Sequence, residues 1–160
     1  MIRDFVDRET ERALLEEEWR GDGGRLIILY GRRRIGKTRL ITEFIRGKEG
    51  ILHFAEDTAP QIQIRRLREE VAQFFADPLL ASLEITTWDQ LFTYIARIPL
   101  AGRRYLVIDE FTYLIKNDPS ILSALQKAWD TTLVGSNWCI LLSGSMLGLM
   151  TDSALSYTSP

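Results

Sequence analysis

The chain has little of several things, and each shortage removes a class of function. Cys139 is the one cysteine among 160 residues, so neither an intramolecular disulfide nor a cysteine-based zinc site can form. Its place in the run CILL predicts a buried structural thiol. No apolar stretch is long enough to span a bilayer, and the opening MIRDFVDRETER lacks the apolar core of a signal peptide. With the lone thiol, this predicts a reducing, cytoplasmic setting without a membrane. The one histidine, His53, falls inside a strand-like run, where packing is the expected role. A net charge of −2 gives no overall field for gripping nucleic acid. No repeat, low-complexity tract or linker divides the chain, so its length and its 46% hydrophobic share predict one domain with a sizeable core.

Against this background, residues 25–41, reading RLIILYGRRRIGKTRLI, stand out. Gly31, Gly36, Lys37 and Thr38 fit the spacing GxxxxGK[ST], with an apolar run before it and helical periodicity after it. A loop whose N–H groups point inward and which opens onto a helix N-terminus offers donors and a positive dipole end to a polyphosphate. Gly31 permits the sharp exit from the strand, and Gly36 keeps a Cβ out of the way of the phosphates. Lys37 is expected to reach the β- and γ-phosphates, and the Thr38 hydroxyl to ligate Mg²⁺. The expected ATP-binding segment is therefore Gly31, Arg32, Arg33, Arg34, Ile35, Gly36, Lys37, Thr38 and Arg39. Whether the side chains of Arg32, Arg33 and Arg34 meet phosphate, acidic neighbours or a partner stays open at this stage.

Periodicity arranges the rest around that loop. Helices are predicted over about 8–19, 37–46 and 60–76, over a short segment that begins with the capping pair Thr87 and Gln90, after the Asp118-Pro119 pair, and over about 146–155. Strands are predicted at 26–30, 51–55, 104–109 and 139–143. Asp77-Pro78 reads as a break. Arg65, Arg66 and Arg68 read as a solvated face, because Glu69 and Glu70 interleave with them. Strands alternating with helices predict an α/β fold of three layers, a mainly parallel sheet with helices on both faces and its ligand at the strands' C-terminal ends.

Asp109 ends the apolar run YLVI at that position. A carboxylate there needs a cation, and Mg²⁺ shared with Thr38, through water, answers the need. Glu110 is placed to orient or deprotonate a water attacking the γ-phosphate, which favours hydrolysis over mere binding. Ser143, and less so Ser145, would bond that water or the γ-phosphate if the fourth strand lies beside the first. Glu56 and Asp57 follow the second strand and face the same crevice unless they are plain loop.

The motifs FVDRETE, YGRRRIGKTRLI, LVIDEF and LLSGSMLGLM together resemble the ATPase family described mainly from archaea, related to the AAA-plus and signal-transduction ATPases. The resemblance implies a P-loop NTPase fold with ATP and Mg²⁺ at Gly31 to Thr38, Asp109 for the metal, Glu110 for water and a polar sensor near Ser143. It also implies adenine near Phe5 to Arg8, where Asp7 replaces the glycine of many relatives. Beyond residue 160 it implies a lid and a winged-helix-like domain. All sixteen arginines lie at or before Arg104, so a transition-state arginine has to come from a later segment or a neighbouring subunit. Slow hydrolysis by this segment, coupled to a protein partner or to a second copy, is the expectation. Two rivals are a nucleotide-gated scaffold that does not hydrolyse, and a small-molecule phosphotransferase, for which no acceptor pocket or arginine-rich lid is visible. A GTPase lacks support, since no NKxD motif is present and Asp109 is followed by Glu-Phe-Thr.

Overall fold

In the computed structural model, residues 8–31 and 36–145 are described. Helix α1 (Arg8–Arg20) leads into β1 (Arg25–Tyr30), and α2 (Lys37–Ile45) into β2 (Gly50–Phe54). Then come α3 (Pro60–Phe75), α4 (Pro78–Ser82), α5 (Trp88–Arg97) and β3 (Arg104–Asp109). Last are α6 (Thr112–Asn117), α7 (Ser120–Thr131), a 3₁₀ turn (Leu133–Gly135) and β4 (Trp138–Gly144). The strands make one parallel sheet in the order β1-β4-β3-β2. The helix predicted over 146–155 lies outside the described residues.

The central residues of β1, β3 and β4 are apolar because both faces are covered, and their period of two sorts side chains into two cores. Ile27, Leu29, Val107 and Leu141 pack with Leu15 of α1 and with Leu40, Ile41 and Phe44 of α2. Ile28, Leu106, Ile108, Ile140 and Leu142 pack on the other side with α3, α5, α6 and α7. This is the three-layer α/β arrangement expected from the alternation of elements. Among the described residues no helix is long and apolar enough to cross a membrane.

Caps set several boundaries. Thr87 Oγ1 accepts from Gln90 N–H while the Gln90 side chain reaches back to Thr87 N–H, the capping box predicted for α5. At the opposite end of the sheet, Arg103 donates to the carbonyls of Trp19 at 3.2 Å, Gly23 at 2.5 Å and Gly21, collecting acceptors that α1 leaves behind. A Cβ on Gly24 would lie 1.9 Å from the Leu133 carbonyl oxygen, so only glycine lets this turn pass.

The break at Asp77-Pro78 is present, α3 ending at Phe75, and the unforeseen part is that Asp77 Oδ1 accepts from the N–H groups of Leu79 and Leu80 and starts α4. One expectation needs correction: Arg68 does not belong to a solvated face, since its guanidinium takes the carbonyls of Ala81 and Leu83 at 2.8 Å each and closes that helix. Arg66 is exposed and pairs with Glu56 at 3.0 Å.

Cys139 is buried beneath α1 and α2, and burial pushes its thiol up to about 12. A thiol-reactive chromogenic disulfide at pH 8 is therefore expected to modify it on the order of a thousandfold more slowly than the unfolded chain, through loss of thiolate alone. Labelling at the unfolded rate under native conditions would show that β4 is not shielded.

Candidate functional site at the carboxyl ends of the strands

The segment after β1 leads to α2 on one face of the sheet, and the segment after β3 leads to α6 and α7 on the other. Chains leaving in opposite directions open a crevice beyond the strand ends, the place where such sheets bind ligands. The register brings the sequence-predicted residues Gly31, Asp109 and Ser143 to this edge. β4 pairs with β1 so that Ser143 lies beside Leu29, and Gly31 N–H donates to Gly144 O at 3.2 Å.

Asp109 is the hub. It is 5% exposed, and among the described residues three donors meet its carboxylate. Thr38 Oγ1 donates to Oδ2 at 3.2 Å, while Ser143 Oγ at 2.5 Å and Glu110 N–H at 3.0 Å donate to Oδ1. Thr38 is on the first turn of α2, 71 positions away in the chain, and its side of the site is open to solvent. Lys37 is 3% exposed and its Nζ donates to Gly31 O at 2.9 Å, so a buried ammonium spans the mouth of the loop. Gly36, just before α2, has φ 80° and ψ 25°, a left-handed conformation in which glycine carries no Cβ penalty.

Glu110 is half-buried with φ 57°, one of two non-glycine residues with positive φ among those described. Such a backbone costs about 1 kcal/mol and persists where neighbours over-determine it. Here Phe111 N–H donates to Ser143 O at 2.8 Å, Tyr113 N–H to Glu110 O at 3.0 Å, and the Phe111 ring is fully buried.

Ser143 is placed differently from expectation. It is completely buried and its hydroxyl is committed to Asp109, so it orients the carboxylate from behind. Ser145 follows β4 and is half-buried. Arg39 is exposed and pairs with Glu43 at 3.3 Å along α2. Arg32, Arg33, Arg34, Ile35 and the Phe5 to Asp7 segment lie outside the described residues. His53 is buried with Nδ1 against Glu70 and Nε2 at 3.3 Å from Gln63 Oε1, on the α3 side of β2, away from Asp109. Glu56 is engaged with Arg66 and Asp57 with α6. The donors on Asp57 were not anticipated, because α6 itself was missed; its short pattern of buried Leu114 and Ile115 was the available signal.

A groove of about 630 Å³ elsewhere, lined by Ile85, Tyr94, Ile98 and Lys127, shares no residue with this edge. Convergent donors, a buried ammonium and a buried carboxylate single out the strand ends instead.

A strand-end crevice of this form has relatives. Residues 5–160 match the profile of an ATPase domain found predominantly in Archaea. The chain belongs to that family. This archaeal-type ATPase chain is 31% identical over 156 residues to an uncharacterized protein of Methanocaldococcus jannaschii, covering 98% of its own length and 33% of that relative's. A Walker-type ATPase of Pyrococcus abyssi superposes with a TM-score of 0.59 at 24% identity, over 91% of this chain and 47% of that one. A chain of the Drosophila ORC bound to DNA gives 0.63 at 17% identity, over 89% and 38% respectively. The two structures share the P-loop NTPase type of fold.

Proposed function

We propose that this chain is the ATP-binding core of a Mg²⁺-dependent ATPase that couples the state of its nucleotide to contacts with a protein partner or a second copy. The observation that carries this reading is the meeting of Thr38 Oγ1 and Asp109 Oδ2 at 3.2 Å beside the buried Lys37 ammonium.

The donor set suits the metal. A carboxylate and a hydroxyl are hard oxygen ligands, and among the described residues no group of three or more His, Cys, Asp or Glu could hold an ion unaided. Mg²⁺ commonly binds in this manner, through one carboxylate, water and the substrate's own phosphates. Thr38 and Asp109 would hold it, and when bound it would supply charge neutralisation on the β- and γ-phosphate oxygens. Lys37 and the loop amides bind and orient the phosphates. Ser143 holds the Asp109 carboxylate in place from behind. Glu110 accepts a proton from the water whose oxygen forms the new bond to the γ-phosphorus, while the bond to the β-bridging oxygen breaks and ADP leaves. Residues 105–160 hold no arginine, so this segment by itself is expected to hydrolyse ATP slowly.

Titration calorimetry tests the reading. ATP and ADP are expected to bind, ATP more tightly with Mg²⁺ than without, and GTP at least about tenfold more weakly, a difference of roughly 1.4 kcal/mol. Equal affinity for GTP, or none for ATP, would overturn it.

A further inference from the structure

One loop holds Glu110 from both sides. The segment between β2 and α3, residues 55–59, donates Ala55 N–H to the carbonyl of Asp109 at 3.0 Å, immediately before Glu110. Two residues further along the same segment, Asp57 takes hold of α6, which begins just after Glu110. Its Oδ2 accepts from Lys116 Nζ at 2.7 Å and its Oδ1 from Asn117 Nδ2 at 2.9 Å. Asn117 Nδ2 also donates to Tyr113 O at 2.8 Å, so the clasp closes onto the helix's own last turn.

Helix α6 needs such help. It has six residues and no side-chain cap at its start, far below the length at which a helix holds itself together. Its position comes from burying Phe111, Leu114 and Ile115 in the core and from the clasp at its far end. Between the two ties lies the left-handed backbone of Glu110, a conformation sensitive to any shift of α6.

We propose that Asp57 is a positioning residue for Glu110, fixing through Lys116 and Asn117 the segment from which that carboxylate reaches the attacking water. This rests on the reading of Glu110 as the water-activating base. Asp57 and Lys116 side chains are 44% and 57% exposed, so as a surface ion pair the contact adds little to global stability. Its consequence is local orientation. The Lys116 and Asn117 hydrogen bonds hold the Asp57 carboxyl below the usual carboxylate range, which keeps the clasp charged at every pH where ATP hydrolysis is measured.

The test is single-turnover hydrolysis of MgATP by the wild-type chain, Asp57→Ala, Glu110→Gln and the double variant, with ATP affinity and thermal midpoint measured on each. Asp57→Ala is expected to slow hydrolysis about fivefold, to leave ATP affinity within about twofold and the midpoint within about 2 °C, and to add no further loss on the Glu110→Gln background. Three results overturn the proposal: wild-type turnover by Asp57→Ala, an equal loss on both backgrounds, or a rate that falls only in step with the midpoint. A wild-type chain no faster than Glu110→Gln overturns the reading of Glu110 itself, and with it this inference. The two failures are therefore told apart by the Glu110→Gln arm.

Discussion

Glu110→Gln is expected to bind ATP as tightly as the wild-type chain, within about threefold, and to hydrolyse it some 10²- to 10⁴-fold more slowly, the range in which general bases contribute. The substitution keeps the size and half-buried position of the side chain but removes its ability to accept a proton. Rates measured by release of labelled phosphate and affinities by calorimetry separate the two effects. Glu110→Gly is the companion. It should lose hydrolysis equally while keeping nearly all the stability. Relief of the left-handed backbone, about 1 kcal/mol, offsets the freedom that glycine adds to the unfolded chain. Wild-type turnover by Glu110→Gln would take the water-activating role from Glu110, and a rate at the uncatalysed background in both chains would leave a scaffold that is gated by nucleotide without consuming it.

Lys37→Met is expected to weaken ATP binding by about a hundredfold, roughly 2.7 kcal/mol. The methionine retains the aliphatic stem packed at this 3% exposed position, so the thermal midpoint should stay or rise slightly once a buried ammonium is gone. The substitution removes the charge proposed to reach the phosphates, together with the hydrogen bond to Gly31 O. Lys37→Arg is not expected to rescue, since a planar fork on a bulkier head cannot occupy the space of a compact ammonium 2.9 Å from the Gly31 carbonyl. Displacement of a fluorescent ATP analogue reads the effect, and an unchanged affinity for Lys37→Met would remove the loop from the binding site.

Much of this architecture is legible from local pattern, because long apolar runs and caps act over short distances. RYLVID reads as a strand ending in aspartate, and β3 spans Arg104–Asp109. The α5 capping box forms from the residues at Thr87 and Gln90 that announce it. The short helices escape for a physical reason. The dipeptide Asp-Pro occurs at 77–78 and at 118–119, and in both places the aspartate carboxylate accepts an N–H two residues on. A long amphipathic run follows only the second, so only the second reads as a helix start. Helix α6 lacks even that cue and exists through tertiary burial of Leu114 and Ile115.

At the site, the residue types at the strand ends are visible in the chain, whereas their partners are not. That Ser143 spends its hydroxyl on Asp109 depends on β4 lying between β1 and β3. That Arg68 closes α4 depends on a helix that the pattern does not show. Hydrogen bonds across 34 and 13 positions are products of topology, and period-counting within one segment does not reach them.

The sheet order also sets a schedule for the birth of the molecule. Arg25 pairs with Cys139 and Arg104 with Trp138, so the strand that joins β1 to β3 is the last of the four to be synthesised. Until it emerges, β1 and the phosphate loop have no neighbour in the sheet, and Asp109 has no serine behind it. A nascent chain paused before residue 138 would therefore expose two unpaired apolar strand edges and bind no ATP. Closure of a loop this long is intrinsically slow, which makes the arrival of β4 the step at which ligand binding, resistance to protease and protection from aggregation should all appear together.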